Sequence, residues 1–358
     1  MKKVLPFFLV FMLFSALALL SGLWAGLLRL GWSIPVLVPA LAMQHGPLMI
    51  SGFLGTLIAL ERVAAIRKPW MFAAPLLSGL GWILGLAFPN PLIGGLLILA
   101  GSLVTTGILG YMVRREPKIY TLTMAIGIVC WVVGNVLWLS GVPIFRLVGW
   151  WEAFLVLTIA GERLELSRIQ RLKPLHFQLF AAAAGVFLLG AALSSWNPIA
   201  GTRVTGLGML LLCLWLLRYD IARRNLRSTA PLTRFIATSL FSGYFWLGVS
   251  GVLNLVFGAQ NARAYYDAAL HAVFVGFVFS MIFGHAPIIL PALTQIQVTF
   301  DRIFYLPLIL LHASLLLRIL GDLSGWSAGR KWGGVLNEIA ILSFLGLFAY
   351  TVARRKKV

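Results

Sequence analysis

Charge is scarce in this chain. Only 11% of its 358 residues are charged, and of these 10 are acidic against 29 basic. No polar stretch long enough to form a water-soluble domain interrupts the apolar runs. Hydrophobic residues make up 60% of the chain, more than a soluble fold can bury, so the composition points to a polytopic membrane protein. Cysteine is scarcer still. Cys130 and Cys213 fall in different apolar runs, form no CxxC and imply no disulfide framework; they read as small buried side chains. No segment repeats at a fixed period. The formal net charge of +19 would suit nucleic acid, but the basic residues stand in short clusters between apolar runs. That is a topology signal, so the expected surroundings are the lipid bilayer and nucleic acid is excluded as a partner.

What is present is a series of apolar segments of about 20 residues each. The first runs from Met1 to about Leu28; it is too long for a signal-peptide core and lacks a small-x-small cleavage site, so it reads as a span. The others lie near 36–60, 71–89, 91–113, 119–140, 143–161, 177–196, 199–217, 233–257, 265–290, 303–321 and 333–352. The expected fold is an all-α polytopic transmembrane helix bundle of about 12 spans, one integral membrane domain over residues 1–358. With the N-terminus inside, 22 of the 29 Lys and Arg residues fall on one face of the membrane, which places both termini in the cytoplasm. The segment from Ile288 to Arg302, with Pro291, Gln295 and Gln297, reads as a bent exit from the tenth span.

Ionisable groups inside spans are costly and mark function by default. Four of the five histidines lie in apolar spans. His45 opens HGPLMISGFLGT in the second span, and His271 lies in ALHAVFVGFVFSMIFGHAPIILPAL in the tenth. Both spans run inward, and at 1.5 Å per residue both histidines lie about 9–15 Å below the outer surface. Two neutral imidazoles at one depth on different helices suit the two axial positions of a haem iron. Ser51, Gly52, Gly55 and Thr56 remove bulk after His45, as a flat macrocycle requires, although small residues also let helices pack. Pro47 removes one backbone donor just below His45. His285 stands 14 residues after His271, which α-helical geometry returns to nearly the same face about 21 Å away. With His312 of the eleventh span it is a candidate for copper or a second haem. His176, beside Pro174, reads as a solvated loop residue.

The remaining polar groups divide into span ends and span interiors. Glu61-Arg62 and Glu162-Arg163 close inward-running spans and read as solvated pairs. Glu152 and Glu338 lie within spans and suit proton relay or pairing with arginine. Asn135 and Asn254 are placed to bond across helices. Arg263, Arg318, Arg330 and Lys331 are the outer bases available to haem propionates. Most of the 13 tryptophans stand near span ends, as an aromatic belt requires.

Twelve spans with histidines in the second and tenth resemble the catalytic subunit (subunit I) of haem–copper oxidases. The closer likeness is to NnrS-type haem–copper membrane proteins, carried by HGPLMISGFLGT and ALHAVFVGFVFSMIFGHAPIILPAL. The resemblance implies that His45 and His271 hold a haem, b-type, near the outer face, in a protein of the nitric oxide and denitrification response. Full oxygen or nitric oxide reduction in that family needs about six metal-binding histidines. This chain has five, with Ala269 near His271 where a second histidine is expected and no paired histidines in the seventh span.

The expected function is a haem-binding protein of the bacterial inner membrane, with copper as a candidate second metal, acting in nitric oxide or respiratory stress. Its partners would be a redox protein or quinone, with a small gas such as nitric oxide as ligand. Two alternatives stand beside it. One is a secondary transporter using Glu152, Glu338 and Asn254; the other is a quinone-linked carrier with two haems.

Overall fold

The computed structural model describes residues 5–39, 41–88, 90–259, 264–294 and 300–354. It is 88% helical and has no strand among the described residues. Among the described residues twelve helices are long and apolar enough to cross a membrane. They are α1 Phe7–Arg29, α2 Leu41–Ile66, α3 Pro69–Ala87, α4 Leu92–Arg115, α5 Ile119–Leu139, α6 Ile144–Gln170, α7 Pro174–Ser194, α8 Pro198–Tyr219, α9 Pro231–Phe257, α10 Ala264–Pro291, α11 Arg302–Ser324 and α12 Ser327–Thr351. The all-α, twelve-span polytopic fold expected from the sequence is the fold observed.

The span ends follow local chemistry more than hydropathy. Proline opens α3, α7, α8 and α9, where its missing N–H would have no intrahelical partner. The second span starts at Leu41, not near 36. The residues before it are apolar, but Pro35 and Pro39 lack the N–H that a helix needs, and 32–36 have no regular structure. The twelfth starts at Ser327, not near 333, because Arg330 is neutralised within the helix: its Nε lies 3.0 Å from Asp322 Oδ1 of α11. Gly325, at φ +72°, makes the tight turn between these two helices.

The described residues fall into two compact units. Among the described residues one holds 5–142 with 292–294, hence α1–α5, and the other 143–291 with 300–354, hence α6–α12. Both are made of lipid-compatible helices, so no polar linker marks the boundary at Val142–Pro143. Arg263, Gln295 and Gln297 lie outside the described residues, and with the two glutamines the middle of the bent exit expected after the tenth span; up to Thr294 that segment continues as helix through Pro291.

In the second unit α7 and α8 meet backbone to backbone. A Cβ on Gly190 would overlap the backbone of Thr205, and one on Gly208 the backbone of Phe187. Small residues permit this approach, which brings dispersion contacts that lipid cannot replace. Leucine in place of Gly208 should therefore cost about 3 kcal/mol through overpacking. Gly185→Leu, at a position where an added Cβ meets nothing within 4 Å, should leave the detergent melting temperature unchanged.

Two expectations about polar residues are corrected. His176 is not a loop residue. It stands in the first turn of α7, its Nδ1 accepts from the Lys173 backbone N–H at 3.2 Å, and its ring stacks on Tyr219 at 4.4 Å. Arg62 and Arg163 are buried, not solvated. Among the tryptophans, Trp131 and Trp246 sit within spans as buried core residues.

Candidate functional site

In the first unit α2 opens with a 3₁₀ turn, Leu41–Gln44, followed by His45. From Leu48 to Gly55 it is π-helical, starting at the residue after Pro47. Wide π turns inside helices are frequent at functional sites. His45 Nδ1 lies 2.8 Å from the carbonyl oxygen of Gly22 on α1. A carbonyl only accepts, so in the neutral ring Nδ1 carries the proton and Nε2 the lone pair.

Below His45 the small residues join helices. Trp131 Nε1 of α5 donates to Ser51 Oγ at 2.9 Å, and Ser51 donates to Asn135 Oδ1 at 3.2 Å. A Cβ on Gly55 would overlap the Trp131 ring, and one on Gly52 would come within 3.2 Å of both Ala18 and Trp82. The structure thus places Gly52 and Gly55 against α1, α3 and α5. Asn135 bonds across helices as expected.

In the second unit α10 repeats the pattern. His271 ends an α-helical stretch, and Ala272–Phe279 is π-helical. His271 Nδ1 donates to the Asp267 carbonyl at 2.8 Å, which again leaves the lone pair on Nε2. The Asp267 carboxylate is held by Arg318 of α11, with Nη2 at 2.9 Å and Nε at 3.3 Å, and Arg330 Nη2 of α12 stands 3.8 Å away. Two of the bases expected to serve propionates therefore already face acidic side chains of this unit. The π-helical stretch separates His271 from His285. Its turns hold more residues than the 3.6 of an α-helix, so the shared face inferred from 14 α-helical residues does not carry over.

His285 Nδ1 donates to Met281 O at 2.7 Å, and its Nε2 lies 3.5 Å from Arg163 Nη1. The same guanidinium clasps Asp220, Nε to Oδ2 at 2.8 Å and Nη2 to Oδ1 at 2.9 Å. His312 differs from the other three. Trp246 Nε1 of α9 donates to its Nδ1 at 2.9 Å. An indole N–H only donates, so His312 Nδ1 accepts and Nε2 carries the proton. Nε2 is buried without a hydrogen-bond partner among the described residues.

Other candidate groups stand apart. Glu152 is buried on α6, and its Oε1 has no hydrogen-bond partner among the described residues. Glu338 is half-buried on α12. Asn254 of α9 donates to Ser250 Oγ at 3.5 Å and to Met209 Sδ of α8 at 3.7 Å. Among the described residues no group of three or more His, Cys, Asp or Glu is placed to hold a metal ion.

Sequence reasoning passed over Asp220, Asp267 and Trp246. A signal for the two aspartates was available. In a chain with only 10 acidic residues, an Asp at the end of a span needs a cation near it. No such signal exists for Trp246, one of 13 tryptophans.

Residues 8–353 match the model of a family described as Domain of unknown function (DUF8744). No curated protein matches the chain.

Proposed function

The chain belongs to that family, DUF8744, and on this premise we propose that it is a multi-pass haem-binding membrane protein whose haem is held by His45 and His271. One observation carries the reading. Each of these histidines stands near the N-terminal end of its span, immediately before or close to a π-helical stretch, with Nδ1 donating to a backbone carbonyl and the lone pair on Nε2. Metal-binding histidines are oriented by such a bond from the other nitrogen. Their places along their own helices are also comparable. His45 is about 8 Å from the first residue of α2, and His271 about 11 Å from that of α10.

A b-type haem, which His45 and His271 would hold, would supply one-electron chemistry at iron. The chain's own residues fix the rings. Gly22 O orients His45; Asp267 orients His271 and is itself neutralised by Arg318. Gly52 and Gly55 serve this arrangement indirectly, by letting α2 approach its neighbours.

His285 and His312 fit a metal role poorly. The Nε2 of His285 faces the fixed cation of Arg163. His312 would have to bind through a nitrogen that carries its proton in the neutral ring. Copper and a second haem are therefore left out of the proposal. Residence in the bacterial inner membrane with cytoplasmic termini rests on the charge bias, and service in nitric oxide or respiratory stress on the family likeness seen in the sequence.

The test is the absorption spectrum of detergent-purified protein, oxidised and then dithionite-reduced, with haem counted per chain. A Soret band and sharp reduced α and β bands with about one haem per chain are expected for six-coordinate iron. A colourless protein, made with ample haem supply, would overturn the proposal. It would favour a second reading, solute transport, to which the buried and unpartnered Glu152 Oε1 lends support.

A further inference from the structure

Two connections of the second unit, α6–α7 and α8–α9, carry basic side chains that the haem reading leaves unused. They are fastened to each other. Gln170 Nε2 donates to the Tyr219 carbonyl at the end of α8 at 3.1 Å, and Trp215 Nε1 of α8 donates to the His176 carbonyl of α7 at 2.8 Å. The stacked rings of His176 and Tyr219 close the same seam. Arg171 and Lys173 therefore stand at the same end of the unit as Arg218, Arg223, Arg224 and Arg227, and all six are exposed. Arg223 Nη1 donates to the Arg218 carbonyl at 3.5 Å, which keeps those two together.

No anion answers these cations. Residues 166–173 and 221–230 contain no acid. Asp220, at the start of the α8–α9 connection, is turned inward and clasped by Arg163. None of the six forms an ion pair among the described residues. Like charges crowded at one end repel until an anion neutralises them. Arg171 also ends the 3₁₀ turn Arg168–Gln170 in the left-handed conformation, at φ +50°, where glycine would fit with less strain. Strain of this kind gathers where a side chain is used.

The same segments expose apolar side chains. Leu166, Ile169 and Leu175 flank the basic residues, with Ile169 at 68% exposure. A soluble polyanion would cover only the charges. A phospholipid supplies both partners: phosphate oxygens for the guanidinium forks and acyl chains for leucine and isoleucine. The depth agrees, because α6 ends at Gln170, α7 begins at Pro174 and α8 ends at Tyr219, where helices leave the hydrocarbon for the headgroups. We propose that this end of α6–α9 binds the phosphodiester headgroup of an anionic phospholipid through Arg171, Arg218 and Arg223, with Ile169 against its acyl chains. The site does not require the haem.

The test is native mass spectrometry of the full-length protein, released from detergent that contains phosphatidylglycerol and phosphatidylcholine in equal amounts. About one phosphatidylglycerol per chain is expected, held about tenfold in preference to phosphatidylcholine, the order of one or two arginine contacts with an anionic lipid surface. The triple variant Arg171→Gln, Arg218→Gln, Arg223→Gln should hold the two lipids about equally. Arg114→Gln, Arg115→Gln, Lys118→Gln removes as much charge from the exposed α4–α5 connection of the first unit and should keep the preference. Circular dichroism verifies folding, and Arg218→Gln alone, losing part of the preference, carries the test if the first triple variant does not fold. Absence of a preference in the native protein would overturn the proposal. So would equal loss from both triple variants, which would mean diffuse net charge. Displacement of the lipid by inorganic phosphate or heparin at constant ionic strength would mean a site for a soluble anion, and would overturn it too.

Discussion

Asp220→Ala is expected to destabilise the protein by about 3–5 kcal/mol, the cost of stranding a buried charge. Asp220 and Arg163 have side-chain exposures of 0% and 4%, so water cannot replace the lost partner. The guanidinium stays charged and has donated two of its N–H groups to that carboxylate. The same carboxylate accepts from the Ala222 backbone N–H at 2.6 Å, so the turn after α8 loses its anchor too. The double variant Arg163→Met with Asp220→Leu removes both charges and should recover most of the stability. Thermal melts of detergent-solubilised protein compare the three. A single variant as stable as the native chain would show that water reaches the pair.

The other large effect concerns the haem. On the proposed reading, His45→Ala and His271→Ala should each reduce bound haem from about one per chain to nearly none, because each removes one of the two imidazoles that would hold it. His285→Ala and His312→Ala should keep the haem and its reduced bands. The comparison is sharp because all four histidines lie in spans and each substitution removes one imidazole. Membrane insertion, assayed by protease protection of the loops, should be the same in all four. Haem retained by both the His45 and His271 variants would sink the assignment; haem lost only from the His285 variant would move the ligand to the other end of α10.

The spans were legible in the sequence because a membrane crossing needs a long apolar run, and composition records such runs directly. The same rule misjudged residues 32–39, which are apolar enough to cross but contain Pro35 and Pro39. It also stopped short at Arg330 and Lys331, since hydropathy does not know that Asp322 waits one helix away. The histidines were visible as costly residues in apolar surroundings. What each does depends on which ring nitrogen donates, and that is decided by partners remote in sequence: Gly22 for His45, Trp246 for His312. Arg163 was misread as solvated for the same reason, with Asp220 57 residues away. The π-helical stretches had no sequence signal, because side-chain pattern does not fix whether a backbone N–H reaches back four residues or five.

Those stretches have a mechanical consequence. The two ends of α10 are keyed to different neighbours, the outer end to α11 and α12 through Asp267 and the inner end to α6 through His285 and Arg163. A rod of uniform α-helix would lock these engagements into one phase, so that an error in either would twist the other. Eight residues of wider winding between them act as a slip joint: each end can be seated by its own partners, and the mismatch is absorbed in between. Excision of one residue from 272–279 would remove about a quarter turn of that allowance. One of the two engagements would then have to let go.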